Sequence, residues 1–109
     1  MENTLFPEWL DRFSSYLRMR NYSPRTIKKY EQTVQRFARY AWVRQQADRD
    51  PFSEEELDSA PLDADVNVSS ALVTDFFSYI TERRDYKPKT LHRMISTLSS
   101  FYRYLYTQG

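Results

Sequence analysis

The stretch 21–42 is matched in chemical type, without a gap, by 85–106. Asn21-Tyr22-Ser23-Pro24-Arg25-Thr26-Ile27-Lys28-Lys29-Tyr30 answers to Asp85-Tyr86-Lys87-Pro88-Lys89-Thr90-Leu91-His92-Arg93-Met94. The match continues through Thr33 with Thr97, Val34 with Leu98, Phe37 with Phe101, Arg39 with Arg103 and Tyr40 with Tyr104. An internal repeat of this kind constrains architecture before any other feature does. Each copy sets a proline at a helix start, cations and a threonine in the first turn, and an apolar stripe behind them. The pattern predicts two equivalent helix ends able to take phosphate on one small domain.

Four helices follow from periodicity, over about 7–20, 24–46, 70–84 and 88–106. Trp9, Leu10, Phe13, Tyr16 and Leu17 share one face of the first, and Asn21-Tyr22 breaks it. Ser23 is a good N-cap for the second, and Pro24 suits its first position, where the missing N–H is harmless. Ile27, Tyr30, Val34, Phe37 and Ala41 form its stripe. Ser69 caps the third, which carries Leu72, Val73, Phe76, Phe77 and Ile80. Leu91, Met94, Leu98, Phe101 and Leu105 repeat in the fourth the spacing of the second. No segment alternates as a strand would. The predicted fold is all-α: two helix–turn–helix hairpins joined by a long acidic loop over 48–67, with a short helical turn near Ser53–Leu57.

Length and charge narrow the function. At 109 residues the chain has room for one core, so residues 1–109 read as one domain. It has no cysteine and one histidine, which excludes thiolate and histidine-cluster metal sites. No apolar run is long enough for a membrane span. The predicted loop 48–67 holds eight acids against one base, a net of −7, which leaves +8 on the remainder of a chain totalling +1. The helical part is therefore basic, and for a nucleic-acid partner the local patch matters more than the sum.

The two basic helix starts carry the chemistry. A helix N-terminus presents unpaired N–H groups and partial positive charge, which suits an anion. Cations there oppose the dipole, by roughly 0.3–1 kcal/mol each. Arg25, Lys28 and Lys29 at one start, and Lys87, Lys89, His92 and Arg93 at the other, accept that sign twice at matching positions. Thr26 and Thr90 can donate hydroxyl hydrogen bonds to phosphate, or serve their own helix starts. Arg18, Arg20, Arg83 and Arg84 close the preceding helices, while Arg36, Arg39 and Arg103 read as surface charge. No nucleophile elbow, glycine-rich phosphate loop or calcium-loop spacing is present, so no enzyme, cofactor or metal site is expected in this chain.

Leu17, Asn21-Tyr22-Ser23-Pro24-Arg25-Thr26-Ile27, Tyr30, Phe37 and Tyr40 resemble the first half of the core-binding domain of tyrosine recombinases, the phage-integrase and Xer-type site-specific recombinases. Val73 and Phe76, Pro88-Lys89-Thr90-Leu91-His92-Arg93, Ile95-Ser96-Thr97-Leu98, Phe101-Tyr102 and Tyr104-Leu105 resemble the second half. The resemblance covers the chain from about Leu5 to Gly109. It implies a four-helix, SAM-like bundle forming one jaw of a clamp on double-stranded DNA, with other recombinase protomers as partners. It also implies catalysis in a separate domain and a cytoplasmic setting in a prokaryote, virus or plasmid-bearing host. Two departures stand out. Lys87 replaces the small polar cap of the second basic helix, and the acidic loop is long, as if to keep DNA to one face. Two rival readings remain: a non-specific helix-hairpin DNA binder, whose turns usually carry glycine, and a SAM-like protein-interaction module that binds no DNA.

Overall fold

The computed structural model describes residues 4–61, 65–66, 68–82 and 86–108. In chain order they form β1 (Thr4–Leu5), α1 (Phe6–Met19), α2 (Pro24–Ala47), α3 (Glu54–Asp58), β2 (Asp65–Val66), α4 (Ser70–Thr81) and α5 (Pro88–Gln108). The architecture is all-helical apart from one minimal antiparallel pairing, Thr4 with Val66 and Leu5 with Asp65. Two residues per strand are too few for an alternating pattern to register in the sequence, which is why no strand was expected.

The helix ends follow from local chemistry. Asn21 takes a left-handed conformation with φ 63°, a region that asparagine tolerates better than most residues. Its N–H donates to the Arg18 carbonyl at 3.0 Å, and the Tyr22 N–H donates to the Leu17 carbonyl at 3.1 Å. These two bonds make a Schellman closure of α1 and turn the chain into α2. Ser23 is extended and caps α2, with Pro24 in the first turn. Ser53 and Ser69 cap α3 and α4 in the same way, each side chain accepting a backbone N–H three residues on. α4 stops at Thr81, short of the expected end, and residues 83–85 lie outside the described part of the chain.

The helices of the two halves interlock. On one side α1 meets α5 through Phe13 and Phe101, whose rings are 5.1 Å apart, and through Tyr16 and Tyr104 at 4.9 Å. On the other, α2 meets α4 through Phe37 and Phe76 at 5.5 Å and Tyr40 and Tyr79 at 5.0 Å. Val34 with Leu98, Phe37 with Phe101 and Ala41 with Leu105 are buried in both repeats. Thr33 and Thr97 are also buried, and each hydroxyl donates to the carbonyl four residues back, Lys29 at 3.2 Å and Arg93 at 2.9 Å. The repeat is thus expressed in hydrogen bonding as well as in packing. α2, at about 1.5 Å per residue, runs about 36 Å, close to the 37 Å longest dimension of the molecule.

The expected acidic loop is largely structured. Pro51, Leu57 and Ala60 are buried, and α3 lies against α2. A five-residue helix gives too little periodicity to be read with its packing face, so only its capped start was visible in the sequence.

Candidate nucleic-acid interface

The two basic helix starts share a backbone plan and differ in their caps. The Ser23 carbonyl accepts the Ile27 N–H at 2.9 Å, and the Lys87 carbonyl accepts the Leu91 N–H at 3.0 Å. Ser23 Oγ also accepts the Thr26 N–H at 3.2 Å and donates to Thr26 Oγ1 at 2.9 Å. The Thr26 hydroxyl is therefore engaged in its own helix cap. Lys87 has no side-chain acceptor, so α5 lacks this closure.

Arg25, Lys28, Lys29, Lys87, Lys89 and His92 are exposed, while Thr26, Thr90 and Arg93 are half-buried. No ion pair among the described residues engages any of these cations. A groove of about 380 Å³ runs between α2 and α5 and brings Lys29, Thr90 and Arg93 together. Arg25, Thr26, Lys28, Lys87, Lys89 and His92 do not line it. Arg83 and Arg84 lie outside the described residues.

Arg36 and Arg39 are the residues that the surface-charge reading missed, because both line this groove. The signal was present in the spacing. Lys29, Gln32, Arg36 and Arg39 follow at steps of three, four and three residues, which places them along one helix face. Tyr86, just ahead of α5, also lines the groove, and the Arg36 guanidinium sits 5.5 Å from its ring centre.

The acidic segment sorts the cations of α2. Glu54 hydrogen-bonds and ion-pairs with Arg36. Asp58 pairs with Arg39 at 3.5 Å. Arg44 bridges Asp50 and Asp75, at 3.2 Å to each. The C-terminal half of α2 is thus tied to carboxylates, whereas Arg25, Lys28 and Lys29 in its first turns are not. Four acids of the segment, Asp50, Glu54, Glu56 and Asp58, are thus spent on nearby arginines.

Two local clusters hold the segment in place. Arg49 grips Glu56 with two parallel bonds of 2.9 and 2.7 Å, and the Phe52 N–H adds a third at 2.6 Å. The guanidinium contact, then the backbone N–H, hold the Glu56 carboxyl down to about 2. The exposed Phe52 ring lies under Arg49 at 3.7 Å. In the second cluster the Tyr40 hydroxyl donates to Asp50 Oδ1 at 2.7 Å and accepts from Arg44 at 3.1 Å. Burial, followed by the bond to Asp50, pushes the Tyr40 phenol well above its ordinary range.

Among the described residues no helix is long and apolar enough to cross a membrane. The described chemistry is thus a cationic groove flanked by two exposed basic helix starts. No solved structure matches the chain. It is 31% identical over 113 aligned residues to the tyrosine recombinase XerC of Caldanaerobacter subterraneus subsp. tengcongensis. That alignment covers 100% of this chain and 32% of the relative, so the chain spans about a third of that protein's length. The model of the phage integrase N-terminal SAM-like domain matches residues 9–108, and with nearly its whole length accounted for the chain belongs to this family.

Proposed function

We propose that residues 1–109 form the core-binding domain of a site-specific tyrosine recombinase or integrase and clamp duplex DNA at the recombination site. In this reading the four long helices make two hairpins, and the duplex lies across the starts of α2 and α5. Arg25, Lys28, Lys29, Lys87, Lys89 and Arg93 meet phosphates, with Thr90 as a hydroxyl donor and Thr26 contributing through its cap. Lys28, Lys29, His92 and Arg93 are the candidates for base edges. Cutting and rejoining would belong to a separate catalytic domain, and other protomers would share the DNA. The observation that carries this reading is the convergence of Lys29 and Arg93, equivalent positions of the repeat, on one groove with no carboxylate of the described residues paired to either.

The test is fluorescence anisotropy with ~30 bp duplexes over a range of salt. Neutralising about four to six phosphates gives a log–log slope of about −4 to −5. Lys29→Glu with Arg93→Glu should flatten the slope by about 2 and weaken binding at least tenfold, with helicity unchanged. Equal binding by the double variant would defeat the assignment.

A further inference from the structure

We propose that the α2–α5 groove seats a backbone phosphate of the duplex, and that the Asp58 carboxylate is the resident anion which this phosphate displaces. The inference rests on the DNA-binding reading above and adds a specific seat and a built-in competitor for it.

Among the described residues the groove is lined by four cations, Lys29, Arg36, Arg39 and Arg93, and by a single carboxylate, Asp58. Three of these cations are incompletely satisfied. The Nε atoms of Arg36, Arg39 and Arg93 are buried and have no hydrogen-bond partner among the described residues. Buried donors are nearly always paired, because an unpaired one forfeits its hydration without replacement. Three such donors from two helices around one groove point to a missing acceptor. A phosphate fits the requirement, since its oxygens diverge and can accept from α2 and α5 at once. Guanidinium groups suit it through their forked donors. Thr90, at the α5 start that lacks a serine cap, lines the same groove.

The two acid contacts in this region differ in kind. Glu54 is hydrogen-bonded to Arg36, both side chains are mostly buried, and Leu57 next to it in α3 is fully buried. That contact anchors α3. Asp58 stands 3.5 Å from Arg39 without hydrogen bonding to it, and its side chain is 66% exposed. An exposed, loosely held ion pair is weak, so a phosphate can take over Arg39 without dislodging α3. Until it does, the carboxylate lowers the affinity of the groove for DNA.

Asp58→Asn removes this charge at constant size. Glu55→Gln removes the same charge from an exposed position in the same helix that does not line the groove. Both variants and the parent chain are titrated with a ~30 bp duplex across salt. Asp58→Asn should bind roughly tenfold tighter at 0.1 M salt with the parent's slope, because the groove phosphate is contacted in both chains and only the competing carboxylate is lost. Glu55→Gln should stay within about twofold of the parent, with the parent's slope, because Glu55 does not line the groove and pairs with none of its cations among the described residues. Equal effects of the two variants would mean that Asp58 acts only through the general field, and would overturn the proposal. So would weaker or unchanged binding by Asp58→Asn, in either case leaving the DNA-binding reading intact. Absence of binding by all three chains would remove both.

Discussion

Tyr40 and Tyr104 occupy the same position of the repeat, yet only one hydroxyl has a structural task. Tyr40 is fully buried, donates to Asp50 at 2.7 Å and accepts from Arg44 at 3.1 Å. The Tyr104 hydroxyl makes no hydrogen bond among the described residues, and its ring packs on Trp9, Phe13 and Tyr16. Tyr40→Phe keeps the ring against Phe76 and Tyr79 and removes one oxygen. A hydrogen bond to a charged group contributes about 1.5–3 kcal/mol. Asp50 is 48% exposed and keeps Arg44 at 3.2 Å, so water and the guanidinium recover part of the loss. The expected destabilisation is about 1–2 kcal/mol, or roughly 5–10 °C in Tm for a domain of this size. Tyr104→Phe should stay within about 0.5 kcal/mol of the parent. Urea unfolding followed by far-UV circular dichroism measures both, and an unchanged m-value keeps the comparison two-state. Equal effects of the two substitutions would refute the assignment of the Tyr40–Asp50–Arg44 cluster. The DNA salt slope should not move with Tyr40→Phe, because Tyr40 does not line the groove.

Phe37→Ala and Phe101→Ala each empty a fully buried repeat position. Each should cost about 3–5 kcal/mol by urea unfolding, a large part of the roughly 5–15 kcal/mol typical of a whole domain. Lys87→Ser installs on α5 the cap that Ser23 gives α2. Stability should rise by about 0.5–1 kcal/mol, while the DNA salt slope should flatten by about 0.9. Acid should loosen the segment around α3. The Glu56 carboxyl titrates at about 2 in the folded chain against 4.5 ordinarily, a depressed value, so its contribution is complete above pH 4.5 and is lost as the pH falls towards 2. The urea midpoint of the parent chain relative to Glu56→Gln should hold steady above pH 5 and converge below pH 4.5.

Much of the fold was legible because it is written in long, repeated elements. The stripe from Ile27 to Ala41 recurs from Leu91 to Leu105, and period and burial agree along both. Ser23 and Ser69 announce their helices by type and position, and both side chains do accept the expected N–H. What escaped is tertiary. Periodicity sets Lys29 and Arg93 beside their stripes, but it does not say that α2 and α5 bring them to one groove. Nor does it distinguish Arg36 from Lys28, since both are cations beside an apolar face. Only the placement of Glu54, 18 residues further along the chain, separates them. The β1–β2 pairing escaped because two residues make no pattern.

That separation explains how a chain with a net charge of +1 can present a strongly basic face. Eight of the fifteen acids are gathered in 48–67. Asp50, Glu54 and Asp58 lie against the C-terminal half of α2, where Arg44, Arg36 and Arg39 receive them. One continuous helix is thereby divided, into a half whose cations are committed to the fold and a first turn whose cations are left to solvent. α5 needs no such division, because after Arg93 its only further cation is the exposed Arg103. The repeat is therefore symmetric in packing and asymmetric in charge. The acidic segment is what restricts the uncommitted cations to the first turns of α2, and the groove between α2 and α5 is where the committed and uncommitted groups meet.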